Sequence, residues 1–260
     1  MTANKDWRRP ENRQEYIRKE LARKGEVSIQ DLSGVFGVSE MTVRRDLDTL
    51  DSRGEIVRTR GGAVCAKRLT FEFTFQSEHQ RNLKEKERIG RKAVSLVRDG
   101  QTLVVDTGTT TLEAARQLAG QRRVKVITMS LPVVSALQYD SEIEIILLGG
   151  HLRDRSPDLH GPLTEQNLGM FQADVAFLGA GGIDAEGSIY TDDLRVLTLN
   201  RRMVQMSKKV IVLADSGKFG RQAMCKIIGP EEYQVLITDT GADAGMVESL
   251  RRRGVQVEVV

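Results

Sequence analysis

The feature that most constrains this chain is a series of short runs rich in Val, Ile and Leu beyond Gly100, at 102–105, 124–128, 143–148, 175–179, 210–214, 235–238 and 255–259. Helical patterns separate most of them. Runs with no polar face, alternating with helices, describe strands covered on both sides of a mainly parallel sheet. The expected fold class of the larger, C-terminal part is therefore α/β and doubly wound. Ligands of such sheets collect at the carboxyl ends of the strands.

Those ends repeat one chemistry. The first run is followed by Asp106, Thr107, Gly108, Thr109, Thr110 and Thr111, and then by a helical pattern containing Leu112, Ala115 and Leu118. A glycine turn and hydroxyls at a helix start gather donors where the helix dipole is positive, which suits a phosphate. Threonines also cap helices with no ligand present. Gly149, Gly150 and Arg153 follow the third run, Ala180 to Asp184 the fourth, and Asp215 to Gly220, with Lys218, the fifth. Glycines let backbone approach a ligand, and Arg153 and Lys218 can neutralise it. The Walker lysine and the dinucleotide glycine spacing are both missing, so no nucleotide cofactor is expected.

Upstream, a helix is expected from Ser39, as N-cap, to Gly54. Val43, Leu47 and Leu50 form its apolar stripe; Met41 and Arg45 point away from the stripe, with Thr42 and Arg44 on its flanks. A shorter helix begins at Ser28, with Asp31 as capping partner and Ile29, Leu32 and Phe36 inside, and Gly37 and Val38 turn into Ser39. Helix, glycine turn, helix is the arrangement that puts its second helix in the DNA major groove. Arginine there matches guanine O6 and N7. Residues 55–64, with Arg58 and Arg60 around a glycine turn, fit a hairpin wing whose cations meet phosphate. A first helix from Asn12 to about Arg23, with Tyr16, Ile17 and Leu21 inward, completes the three-helix core.

Val27 to Val64, above all Thr42 to Leu47 and the Arg58 to Ala63 wing, resembles the winged helix-turn-helix of the DeoR family of bacterial transcription regulators. Residues 106–111, 147–153, 159–162, 177–184 and 212–220 extend the resemblance to the family's effector domain, which is related in fold to ribose-5-phosphate isomerase and glucosamine-6-phosphate deaminase. The resemblance implies a repressor of a sugar-catabolic operon, released from double-stranded DNA by a phosphorylated sugar and acting as a homo-oligomer, dimer or tetramer. Ser39, Met41, Thr42, Arg44, Arg45, Arg58 and Arg60 are the implied DNA contacts. Asp106, Gly108, Thr109, Thr110, Thr111 and Lys218 carry over as effector contacts, and Ser130, Gly149, Gly150, Arg153 and Asp184, at the other strand ends, complete the expected effector site. Three positions depart from the family pattern: Arg60 replaces a common histidine, Met129 a common asparagine and Gly181 a common aspartate. The last two are expected to face the pocket and to alter sugar preference.

The expected organisation is a DNA-binding domain over 12–67, a linker over 68–82 and an effector and oligomerisation domain over 83–260. Phe71, Phe73 and Phe75 are expected to dock on the larger domain. A helix is expected from about Lys84 to Val97, with Ile89, Ala93, Leu96 and Val97 buried. Charge follows the division: residues 1–70 hold 15 Lys and Arg against 11 Asp and Glu, which with chain totals of 39 and 36 leaves the remainder at −1. That excess is modest for a nucleic-acid binder, so two copies should act together. No apolar run approaches membrane-spanning length and no signal segment is present, which sets the expectation of a cytoplasmic protein with no membrane partner. Cys65 and Cys225 are too few for a disulfide framework, and His79, His151 and His160 lack metal spacing, although the last two share a polar segment with Asp154 and Asp158. No metal, cofactor or catalytic residue is expected. Two other functions fit parts of the pattern: a sugar-phosphate isomerase or deaminase with a DNA tether, using Asp106, Asp184 or Asp215 as base, and a transcriptional activator.

Overall fold

The computed structural model describes residues 7–52, 55–65, 75–153 and 156–260 and divides the chain into two compact units, 1–74 and 75–260. The expected helix end at Gly54, the docking of Phe71 and Phe73, and Asp154 lie outside the described residues.

The first unit runs α1 (Pro10–Lys24), β1 (Glu26–Ser28), α2 (Ile29–Phe36), α3 (Glu40–Ser52), β2 (Ile56–Arg58) and β3 (Gly62–Cys65). Pro10 suits a helix start, where its missing N–H costs nothing, and Gly25, at φ 84°, closes α1 by donating its N–H to the Leu21 carbonyl. Ser28 Oγ accepts the Asp31 N–H at 3.0 Å and so caps α2, while Gly37, at φ 63°, makes the turn. Ile17, Leu21, Ile29, Leu32, Phe36, Val43, Leu47, Leu50 and Ile56 form one buried cluster. The aromatic ring of Trp7, silent in the sequence, packs on Tyr16 and Phe36 with centroids 5.3 and 4.9 Å apart. The strands pair in the order β1-β3-β2, all antiparallel. Gly62 permits this: a Cβ there would stand 1.9 Å from the Val27 carbonyl oxygen.

In the second unit residues 75–80 are helical. Then come α4 (Leu83–Ser95), β4 (Thr102–Val105), α5 (Thr109–Leu118), β5 (Val124–Thr128), α6 (Leu131–Leu137), β6 (Ile143–Leu147), β7 (His151–Leu152), β8 (Leu159–His160), α7 (Pro162–Leu168), β9 (Ala173–Gly179), β10 (Gly182–Ile183), β11 (Ile189–Thr191), α8 (Leu194–Gln205), β12 (Ser207–Leu213), β13 (Cys225–Ile228), β14 (Val235–Thr238), α9 (Ala244–Arg252) and β15 (Gln256–Val259). All seven expected strands join one sheet, in the order β15-β14-β12-β9-β4-β5-β6, and every pairing is parallel. Alternate residues feed separate cores. Leu103, Val105, Phe177, Ile211 and Leu213 pack with Ile89 and Ala93 of α4 and Leu112 of α5, and Phe75 lies against this cluster. Val104, Ala176, Leu178, Val210 and Val212 pack with Leu199 and Met203 of α8 and Leu250 of α9.

The chain starts at β4, winds outward to β6, and returns to β9 on the other side of β4. The winding therefore reverses between β4 and β9, where α/β sheets open a ligand crevice. Among the described residues no helix is long and apolar enough to cross a membrane.

Candidate functional site

In the first unit, Ser39 Oγ accepts the Thr42 N–H at 3.3 Å and lies 3.1 Å from Thr42 Oγ1, so Ser39 caps α3 as expected. Val43, Leu47 and Leu50 hold the inner face, while Met41 and Arg45 are exposed and Thr42 and Arg44 half-buried on the flanks. Arg44 approaches Glu40 at 3.4 Å, a surface pair worth little. The Arg45 side chain has no partner among the described residues. The stripe also carries a charge that sequence reasoning missed: Asp46 is buried and takes Arg13 Nε and Nη2 at 2.6 and 3.2 Å, fastening α3 to α1. Arg58 is turned inward, bonding the Arg44 carbonyl at 3.0 Å and pairing with Asp48. It ties the wing to α3, and the exposed cation of the wing is Arg60, beside the turn that Thr59 N–H closes on the Gly62 carbonyl at 3.1 Å.

In the second unit, the reversal point is joined by one carboxylate. Asp106, after β4, accepts from the Thr107 N–H at 2.8 Å and Asn200 Nδ2 at 3.1 Å on one oxygen, and from the Gly179 N–H, at the end of β9, at 3.0 Å on the other. Burial pushes its pKa up, the nearby Asp158 adds to this, and the two N–H donors and Asn200 oppose it. Thr111 is fully buried, its hydroxyl 2.9 Å from the Asp106 carbonyl and 2.8 Å from that of Gly108, which locks the turn. Gly108 is the N-cap of α5 and supplies no side-chain cap, as is also true of Asn82 at α4 and Gly161 at α7, whereas Ser130 caps α6, Asp193 caps α8 and Asp243 caps α9. Among the described residues no side-chain acceptor caps the start of α5, and of the uncapped starts it is the one that follows a central strand at the winding reversal.

The remaining candidates fall into four places. Ser130 is buried after β5, its Oγ 3.4 Å from the Val133 N–H, and bridges to Asp158. Arg153 pairs with Asp158 through Nε at 2.8 Å and Nη2, and with Asp193 at 2.9 Å, so its charge is met by two carboxylates. Gly149 receives the Thr164 hydroxyl at 2.8 Å, and a Cβ on Gly150 would stand 2.0 Å from that oxygen, so this glycine pair serves packing against α7. Asp184 accepts from the Glu186 and Ser188 N–H groups at 3.1 and 2.8 Å and from the Tyr190 hydroxyl at 2.8 Å. It shapes the β10–β11 hairpin. Met129, expected to face the pocket, is instead buried in the apolar cluster with Val104 and Leu148. Gly181 packs against β11, where a Cβ would meet the Tyr190 carbonyl at 3.0 Å. His151 and His160 stand opposite each other across β7 and β8.

Lys218, after β12, lies 2.7 Å from Glu78 Oε1. Around this pair are Lys86, wholly buried and donating to the Glu78 carbonyl, and Asp215, which accepts Asn82 Nδ2 at 2.8 Å. Burial pushes the Lys86 pKa down, against the pull of the Glu78 and Asp215 charges. The Glu78 carboxyl, which burial would raise, is held below the usual range by Lys218. Lys86 was legible in principle, since it precedes Ile89 and Ala93 at helical spacing on the buried face. Asn200 carried no signal.

The DeoR-like helix-turn-helix domain matches residues 13–68 and the DeoR C terminal sensor domain residues 81–240. The chain is 36% identical, over 95% of its length and 93% of the relative's, to an Escherichia coli O157:H7 protein whose name assigns it provisionally as an aga operon transcriptional repressor. It is 30% identical to the glycerol-3-phosphate regulon repressor of Escherichia coli K12, over 92% of this chain and 94% of that one. Ribose 5-phosphate isomerase A of Methanocaldococcus jannaschii superposes with a TM-score of 0.40 at 19% identity, over 53% of this chain and 55% of that one. Two family matches that span both units, and relatives aligned almost end to end, lead to one conclusion: the chain belongs to the DeoR family of transcriptional regulators.

Proposed function

We propose that this chain is the repressor of a sugar-catabolic operon, bound to its operator through α3 and the wing and released when a phosphorylated sugar enters the crevice between β4 and β9. The uncapped start of α5 carries the reading. Main-chain N–H groups at Thr109, Thr110 and Thr111 point out of a helix terminus at the winding reversal, where the Asp106 to Gly179 bond holds the two strand ends together, and this is the electrostatic setting a phosphate requires. Lys218 is the cation assigned to the ligand, and the names of the relatives, the aga operon and the glycerol-3-phosphate regulon, agree with small carbon sources as the inducing class.

On the DNA side, Arg45 reads bases, Met41 and Thr42 line the groove, and Ser39, Arg44 and Arg60 supply backbone contacts. Arg58 acts by fixing the wing. Two copies bind together, each presenting one helix to one half-site. Of the three carboxylates that could act as a base, Asp184 is committed to its own hairpin and Asp106 to the turn donors and Asn200, while Asp215 holds Asn82 and the Gly217 N–H through one oxygen; no catalytic role is proposed for them.

The test is release of full-length protein from genomic operator fragments by a panel of sugar phosphates, followed by fluorescence anisotropy. One sugar phosphate should weaken binding by roughly 5- to 150-fold. Arg45→Ala should abolish sequence preference, costing about 1–3 kcal/mol at the bases it reads. Lys218→Met should bind operator normally and release poorly. Normal release by Lys218→Met would remove this lysine from the site.

A further inference from the structure

Residues 75–82 lead the chain into the sensor unit, and three of their side chains fasten them to the parts of the crevice. Glu78 Oε1 lies 2.7 Å from Lys218 Nζ on the loop after β12. Asn82 donates to Asp215 on that same loop at 2.8 Å. His79 Nε2 lies 2.7 Å from Glu113 Oε1 of α5, the helix whose first turn is Gly108 to Thr111. The segment thus grips both the cationic loop and the helix of the anion turn.

Lys218 has one positive charge, and in this structure a carboxylate already faces it. The pair is partly shielded, with the Lys218 side chain 17% and that of Glu78 36% exposed. A ligand phosphate near Lys218 would face Glu78 as well, and two anions beside one ammonium repel each other. The net gain on binding is the difference between the two pairings.

We infer that Glu78 is an internal stand-in for the ligand's anionic group, occupying Lys218 until a phosphorylated ligand displaces it, so that Glu78 sets the affinity of the crevice and occupancy loosens residues 75–82. This rests on the proposed reading of Lys218 as the ligand's cation. It makes Glu78 an affinity-determining residue outside every strand end, at the start of the second unit in sequence.

The experiment uses the full chain and inorganic phosphate as the probe. Calorimetric titration should show Glu78→Gln binding phosphate roughly fivefold more tightly than the parent protein, the gain expected from removing one competing, partly shielded pairing. Glu78→Ala should move the same way, which guards against a defect peculiar to the amide. Amide hydrogen exchange over residues 75–82 should quicken when phosphate is added to the parent protein and should already be quick in Glu78→Gln without it. Unchanged or weaker phosphate binding in both Glu78 variants overturns the inference, as does phosphate binding without any change in exchange over 75–82. Lys218→Met separates the two readings: if it alone loses phosphate while the Glu78 variants match the parent, the site stands and the internal competitor falls. If Lys218→Met binds phosphate as the parent does, the site assignment itself fails.

Discussion

At the scale of single residues, the most consequential side chain is one with no place in the expected site. Lys86 is fully buried, and its pKa is lowered by burial despite the two nearby carboxylates. Below its folded pKa the ammonium is charged in both states and its burial counts against folding. Between that pKa and the free value of 10.5 the unfolded chain holds more protons, so stability rises with pH across that window. Lys86→Met removes this slope. Urea midpoints measured from about pH 7 to about pH 10 should therefore show the parent protein gaining on Lys86→Met as pH rises; parallel curves would mean that Lys86 is not desolvated. The residue scale is also where sequence reasoning reached least far. Residue type and position placed Asp106, Arg153 and Lys218 at strand ends, but the partner decides what a charge does. Arg153 turned out to serve Asp158 and Asp193, Arg58 the Arg44 carbonyl and Asp48 within α3, and Lys218 a glutamate 140 positions away. No periodicity encodes a pairing of that separation.

At the scale of elements, the two helices that frame the anion turn touch backbone to backbone. A Cβ on Gly90 of α4 would stand 2.9 Å from the Ala114 nitrogen and the Glu113 carbonyl of α5, with no flexible side chain to yield. Gly90→Ala should cost about 1–3 kcal/mol in stability and, under the proposed reading, weaken phosphate binding, because α5 carries the turn assigned to the phosphate. Gly34→Ala in α2 is the control: nothing lies within 4 Å of its added Cβ, so the usual helical preference for alanine should hold the fold or improve it by up to about 1 kcal/mol. Equal urea midpoints for the two variants would refute the contact. Elements were the most legible scale. The sheet strands announced themselves because burial on both faces leaves no polar position to blur the run, and 102–105, 124–128 and 235–238 coincide with β4, β5 and β14. Helix ends were legible where a cap was chemical, as at Ser28 and Ser39. In α4 the inner face came out as Lys86, Ile89, Gly90, Ala93 and Val94, with glycine where α5 approaches closest; past the helix end Val97 is buried as expected and Leu96 only partly so. β1 escaped notice, since three residues carry too little pattern to stand out.

At the scale of the whole molecule, the positive excess of the first 70 residues and the slight negative charge of the rest bear on how many copies sit on DNA. Each phosphate contact adds about 0.9 to the slope of log affinity against log salt. Arg60→Ala should lower that slope by about 0.9 if one copy binds and by about 1.8 if two bind together, so salt titration of this single variant counts the copies on the operator. A change near 0.9 would end the paired reading. The winding reversal has a consequence of its own. Under the proposed reading the cradle at β4 and β9 offers peptide groups that every residue possesses, with Lys218 as the one side chain that meets the phosphate charge. Descendants of such a chain can then change which metabolite they answer to by redrawing the other loops, and the tell-tale of that drift is divergence around Ser130 and Arg153 over an unaltered main-chain seat and lysine.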